Sequence, residues 1–370
     1  MKYFVTNHPA SKLRDLTSFS ALAFSFPGAR EEHPLVFATR AVRSAFPHKR
    51  WLAAGKFLLR CALHPLVTRD FFAAIENNSS LSRFICHRPR ILLKLQRPYL
   101  NRAYAPRARL NALLSHYEFA DKYFDREFID KVAGTEGLCL AQVLASDGLS
   151  YSIRLTSTDT FDREGELLLS IEQDGERQRV ACVAFSITSR EHCRQIEIGC
   201  LQGARPERGK ELVKRATKNF HGVRPKNLLL DALYALAGAW DIDHVMAVGN
   251  TDRIFGGSTF ACAPVFADYD QFWRELDGVE TTGDQFLLPK KLRHRSISEV
   301  PSGRRAEYRR RLALREHLST QIRAQIPVTD STTSRQRAAI PVRTGAATHN
   351  LQGEYSFTPL ADMKNALQPM

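Results

Sequence analysis

One short turn carries the most suggestive chemistry in this chain. Within "HGVRPKNLLLDAL", Gly222, Arg224, Pro225 and Lys226 stand at the head of a nearly apolar helical stretch. Two cations around a glycine and a proline can hold a phosphate there. A helix start presents unpaired N–H donors and the positive end of the helix dipole. The same residues also suit an ordinary helix start, where proline is common at the first position. His221 precedes the turn, and an unperturbed histidine titrates near neutral pH. Gln202 and Gly203 close the strand-like "IEIGCLQG", where bulges and close ligand approach are common. Asn250, Thr251, Asp252 and Arg253 follow a later strand-like run. Polar groups collect at such strand ends in α/β sites, and so do plain turn and capping clusters. Cys193 and Cys200 with His192 and His221 can be drawn as a metal site. The seven cysteines contain no Cys-x-x-Cys pair, however, and no metal is expected.

These residues must be positioned by the elements around them. "VACVAFSITS" and "RQIEIGCLQG" read as strands joined by a tight turn, both mostly apolar and therefore central. "PERGKELVKRATKNF" reads as a basic helix, followed by the Gly222–Lys226 turn, an apolar helix and a short strand from His244 to Gly249. "DYDQFWRELDGVE" adds a short helix and "DQFLLPKKL" a strand, and "SGRRAEYRRRLALREHLSTQIRAQI" is a strongly basic final helix. Upstream, "PLVFATRAVRSAFPHKRWLAAGKFLLRCALHPL" gives two short basic amphipathic helices broken at Pro47. A second basic stretch, Arg88 to Arg109, interleaves cations with Tyr99 and Tyr104. The expected division is a weakly structured N-terminus over 1–33, a basic helical region over 34–130, an α+β core over 131–326 and a disordered tail over 327–370, rich in Ser, Thr and Pro.

The 370 residues carry a formal net charge of +14 and 44% hydrophobic residues. That charge favours anionic partners without choosing among them. The N-terminal stretch lacks the form of a signal peptide, and no uninterrupted apolar run reaches the roughly 18 residues a spanning helix needs. The odd cysteine count points to reduced thiols. The expected place is the cytoplasm, with the two basic helical stretches free to bring the chain to the inner membrane surface. The run from Arg304 to Arg315 fits a solvated helix face interrupted by Glu307, so nucleic acid is not the expected partner.

The order of an antiparallel meander, a central strand, a loop, a helix, a strand, a helix and a last strand is similar to the GNAT fold of N-acetyltransferases. The likeness covers about Gly165 to Pro289. It departs from that family in lacking a second glycine after Gly222 and in inserting a basic helix before the turn. A resemblance over about Pro34 to Ile322 is to the VirK/YbjX family of bacterial proteins. It is carried by "VAFSIT", "IGCLQG", "TKNFHGVRPKNLLLDAL", "FWRELDG", "FLLP" and "SGRRAEYRRR" in that order.

Together these imply an α+β protein, with a basic helical N-terminal region followed by a GNAT-like mixed sheet flanked by helices. The VirK/YbjX resemblance implies a link to virulence and to tolerance of cationic antimicrobial peptides. The GNAT resemblance implies an acyltransferase using acyl-coenzyme A or another acyl thioester. Glu197 is then the candidate base for the acceptor, Tyr269 the phenolic acid for the departing thiolate, and His221 a further titrating group. Gln202, Gly203, Gly222, Arg224, Lys226 and Asn250 are the candidate thioester-binding residues. The competing expectation is a non-catalytic membrane-surface or regulatory factor.

Overall fold

Proline and short polar caps punctuate the first half of the chain. The computed structural model describes residues 34–45, 50–145, 147–158, 160–175, 177–191, 193–204, 206–255, 268–281 and 283–326. The expectations for 1–33 and 327–370 lie outside these residues, as do His192 and Cys262. Helices α1 (Pro34–Ala45), α2 (Arg50–Leu63), α3 (Pro65–Asn77) and α4 (Ser79–His87) follow one another closely. Asn78 caps α4 by accepting the Leu81 N–H at 2.7 Å. A 3-10 segment, Pro89–Gln96, leads to α5 (Pro106–Tyr123) and α6 (Arg126–Ala133). Proline begins α3, the 3-10 segment and α5, positions where its missing N–H costs no helical bond.

Then come β1 (Leu138–Leu144), β2 (Ser150–Ser157), β3 (Leu167–Gln173), β4 (Gln178–Arg190) and β5 (Cys193–Gly203). Helices α7 (Pro206–Asn219) and α8 (Pro225–Ala239) lead into β6 (His244–Val248). After it come α9 (Tyr269–Arg274), β7 (Val279–Thr281), β8 (Gln285–Leu288) and α10 (Arg305–Gln325). The eight strands form one sheet in the order β1-β2-β3-β4-β5-β6-β8-β7. All pairs are antiparallel except β5 with β6, where α7 and α8 supply the long crossover a parallel pair needs. The result is a mixed α+β fold around a mostly antiparallel sheet. The sequence reading passes over α6 and runs its short helix on to Glu280, whereas α9 ends at Arg274 and Val279–Thr281 form β7.

β4 is buried without interruption from Val180 to Thr188, so both of its faces are covered. α5 and α8 both pack against it, and α10 packs on α8 and on β1. The hydrophobic core is continuous from Phe57 and Phe84 in the first helices through Phe185 in the sheet to Leu228 in α8 and Ile322 in α10. Gln321 of α10 also closes the open edge of β1. Its side chain accepts the Gln142 N–H and donates to the Gln142 carbonyl, which blunts an edge that would otherwise invite strand addition. Among the described residues no helix is long and apolar enough to cross a membrane.

Candidate functional site

The parallel pair at the centre of the sheet is short. β5 meets β6 only from Gln195, opposite His244, to Ile198, opposite Ala247, and then runs on alone to Gly203. A bulge at the same place turns the strand. Phe185 faces Ile198 while Ala184 faces Cys200, which leaves Gly199 unmatched. Only glycine fits there, because a Cβ would stand 2.2 Å from the Glu164 carbonyl oxygen.

Tyr269, the first residue of α9, reaches the separated part of β5. Its hydroxyl accepts the Leu201 N–H at 2.8 Å and donates to the Leu201 carbonyl at 3.0 Å, with Cys200 Sγ 3.8 Å away. The phenol therefore satisfies the backbone pair of Leu201. Burial, aided by the neighbouring Cys200, holds Tyr269 well above the usual tyrosine range, so it stays protonated. Asn250 fixes the start of α9. Its amide donates to Asp268, its carbonyl oxygen accepts the Tyr269 N–H, and its own N–H donates to Asp270. The Arg253 guanidinium lies 5.0 Å from the centre of the Tyr269 ring, a cation–π distance.

Lys226 extends from the first turn of α8 towards the end of β5. Its Cε is 3.9 Å from the point a Gly203 side chain would occupy, and its ammonium is 5.8 Å from the Phe272 ring centre. Burial lowers its pKa. Lys226, Gly203, Tyr269 and Asn250 thus gather around the end of β5, with Gln202 exposed beside them.

Glu197 occupies a different setting, within the paired part of β5. It is buried, and its carboxylate accepts from Tyr104, Thr188 and Gln195 at 2.7, 2.8 and 2.7 Å. Tyr104 in turn accepts from Arg190 and Gln285. Leu100, Met246 and Gln285 border this network.

His221 and Gly222 are placed elsewhere than the phosphate reading of the turn requires. Both have left-handed backbone, with φ of 54° and 83°. They end α7, the Gly222 N–H donating to the Thr217 carbonyl and the Val223 N–H to the Phe220 carbonyl. Arg311 of α10 covers them, donating to the His221 carbonyl and lying where a Gly222 side chain would go. Any grip on phosphate therefore rests on the side chains of Arg224 and Lys226, not on the amides of Gly222 and Val223. Arg224 is exposed, and its carbonyl accepts the Asn227 and Leu228 N–H groups as α8 begins.

Two groups at the end of β5, Cys182 and Glu164, escape a sequence reading, and they lie with Cys200, which that reading drew only into a metal site. Cys200, Cys182 and Glu164 are all buried. Burial pushes the Cys182 thiol up to about 11 and the Cys200 thiol well above its ordinary range. Burial also raises Glu164 from 4.5 to about 7, against a lowering hydrogen bond with Cys200. The only signal was the pair of acids flanking Gly165 just before an apolar strand. A raised carboxyl is bound to its proton in the fold at a pH where the unfolded chain has released it. Stability from this group is therefore intact below about pH 4.5 and falls as pH rises to about 7, by about 3 kcal/mol in all. Glu164→Gln mimics the neutral form. Urea denaturation should find it close to the parent protein near pH 4.5 and more stable near pH 8, and a gap that does not widen with pH would contradict the assignment.

The sequence matches the family described as a protein of unknown function (DUF535) over residues 48–324. It is 28% identical over 292 residues to the uncharacterized protein YbjX of Escherichia coli (strain K12), covering 78% of this chain and 88% of that one. It is 24% identical over 225 residues to an uncharacterized protein of Haemophilus influenzae (strain Rd), covering 60% of this chain and 73% of the relative.

Proposed function

The chain belongs to the DUF535 family of YbjX-like bacterial proteins, and on that premise we propose that it is a GNAT-like acyltransferase using an acyl thioester. The observation that carries this reading is the opening of the β5–β6 pair after Ile198, with the Tyr269 phenol set on the freed Leu201 backbone. The strand order supports it, since an antiparallel meander gives way to one parallel pair and a returning hairpin. A thioester arm with amide groups would pair with what this edge offers beyond Leu201, whose own N–H and carbonyl the phenol takes. Lys226, beside Gly203, and the exposed Arg224 would hold its phosphates.

In the reaction, the acceptor nitrogen or oxygen attacks the thioester carbonyl and its proton leaves through a relay to Glu197, which lies apart in the paired part of β5 and whose carboxylate accepts from Tyr104, Thr188 and Gln195. The C–S bond breaks, and the departing thiolate takes the Tyr269 proton. Burial keeps the phenol protonated, the form that second role requires. An envelope component is the acceptor class that matches a link to peptide tolerance.

Calorimetric titration with acyl-coenzyme A tests the assignment. Arg224→Ala with Lys226→Ala should weaken binding about tenfold or more, as loss of one charge-assisted contact of about 1.5–3 kcal/mol implies. The thermal midpoint should barely move, because Arg224 is exposed and Lys226 lies at a helix start. An unchanged affinity in the folded double variant would return this turn to an ordinary helix start.

A further inference from the structure

The outward face of α2 is apolar although its inward face already anchors the helix. Ala54, Phe57 and Cys61 bury themselves in the core at helical spacing. On the other side Trp51, Leu52, Leu59 and Leu63 are 66, 57, 62 and 65% exposed, and Leu66 at the start of α3 is 60% exposed. Exposed apolar residues are ordinary when they are scattered singly. These lie together along one side of α2 and into the next turn.

Charge decides what covers this face. From Pro34 to Arg69 the sequence holds seven Lys and Arg residues and neither Asp nor Glu. Lys56 and Arg60 lie along one margin of the apolar face, and Arg69, exposed just beyond Leu66, is paired with Asp70. Arg43 stacks over the Trp51 ring at 3.9 Å. A second copy of the chain seated on this face would bring cation against cation. An anionic lipid surface supplies both complements at once, phosphates for the margin and acyl chains for the leucines.

We propose that α2 docks the protein on anionic lipid bilayers, lying in the headgroup plane with Trp51, Leu52, Leu59, Leu63 and Leu66 directed into the acyl boundary. This assignment stands independently of thioester chemistry.

The test uses the full chain with vesicles of phosphatidylcholine, alone or mixed with phosphatidylglycerol, and a parallel set carrying brominated acyl chains. The protein should float with the mixed vesicles only, and bromine should quench Trp51. The readout is specific because the other two tryptophans, Trp240 and Trp273, are 3% and 0% exposed. Leu59→Glu with Leu63→Glu should weaken binding on the order of a hundredfold, from the apolar area withdrawn. Lys56→Ala with Arg60→Ala should weaken it roughly thirtyfold at physiological salt. The leucine positions are mostly exposed, so circular dichroism should find the fold intact. Equal flotation with neutral vesicles, or flotation untouched by the leucine pair, would overturn the proposal. So would a dimer in sedimentation equilibrium that the leucine pair dissociates, which would assign the face to a second copy.

Discussion

Lys94→Met is expected to destabilise the protein by about 3–5 kcal/mol, a large part of a typical folding free energy. Lys94 belongs to the 3-10 segment Pro89–Gln96, yet it is buried, with its ammonium 2.6 Å from Glu166 and 3.1 Å from the Gly165 carbonyl. It also lies 5.2 Å from the Tyr99 ring centre. Tyr117 of α5 donates to the other Glu166 oxygen at 2.6 Å. The pair therefore joins the helical first half to the entrance of β3. Methionine keeps most of the side-chain volume but strands a carboxylate out of water without its counter-charge, and that imbalance, more than the lost attraction, sets the size of the effect. Adding Glu166→Gln to Lys94→Met removes the stranded charge, so the double variant should recover a large part of the loss. Urea denaturation of the parent protein and the two variants checks this, and a single-variant loss below about 1 kcal/mol would show that water reaches the pair.

Tyr269→Phe is expected to separate binding from chemistry. Removing one oxygen leaves the Leu201 N–H and carbonyl without their partner, which should lower stability by about 1–3 kcal/mol. If the phenol protonates the departing thiolate, thiol release from acyl-coenzyme A should fall by about 10²–10⁴-fold. Thioester affinity should change far less, since the phosphate contacts assigned to Arg224 and Lys226 remain. A purely structural Tyr269 would predict the stability loss with release and binding reduced together, in proportion to the folded fraction.

Local signals were legible where residues contiguous in sequence decide the element. Pro65 marks the end of α2 and Pro225 the start of α8, while Pro47 lies outside the described residues. The mostly apolar runs of β4 and β5 announce a doubly covered pair of strands. By contrast, α6 has eight residues and β7 three, too few for a period to stand out from the surrounding chain.

The site was legible as a set of candidates but not as an arrangement. Gly222, Arg224, Pro225 and Lys226 have the same spacing whether the turn holds a ligand or ends a helix. What decides Gly222 is Arg311, 89 residues on, which covers it from α10. Lys94 reads as one more cation in a basic stretch, because nothing local reveals Glu166 seventy-two residues away. Arg88 is likewise turned to Ser157, and Arg315 of the final helix to Asp231. Part of the apparent basic surface is therefore internal wiring among helices and sheet. Tyr269 was identifiable from its place before "FWREL", whereas its hold on Leu201 needed the bulge at Gly199 and the end of β5–β6 pairing.

Amide hydrogen exchange with and without saturating acyl-coenzyme A tests the central claim most directly. A thioester arm lying along the opened edge of β5 should slow exchange in residues 199–203 and in the first turn of α9, while α1 and α2 exchange as before. Exchange that stays the same in both segments, with the thioester present in large excess, would contradict an acyl-thioester site between β5 and β6.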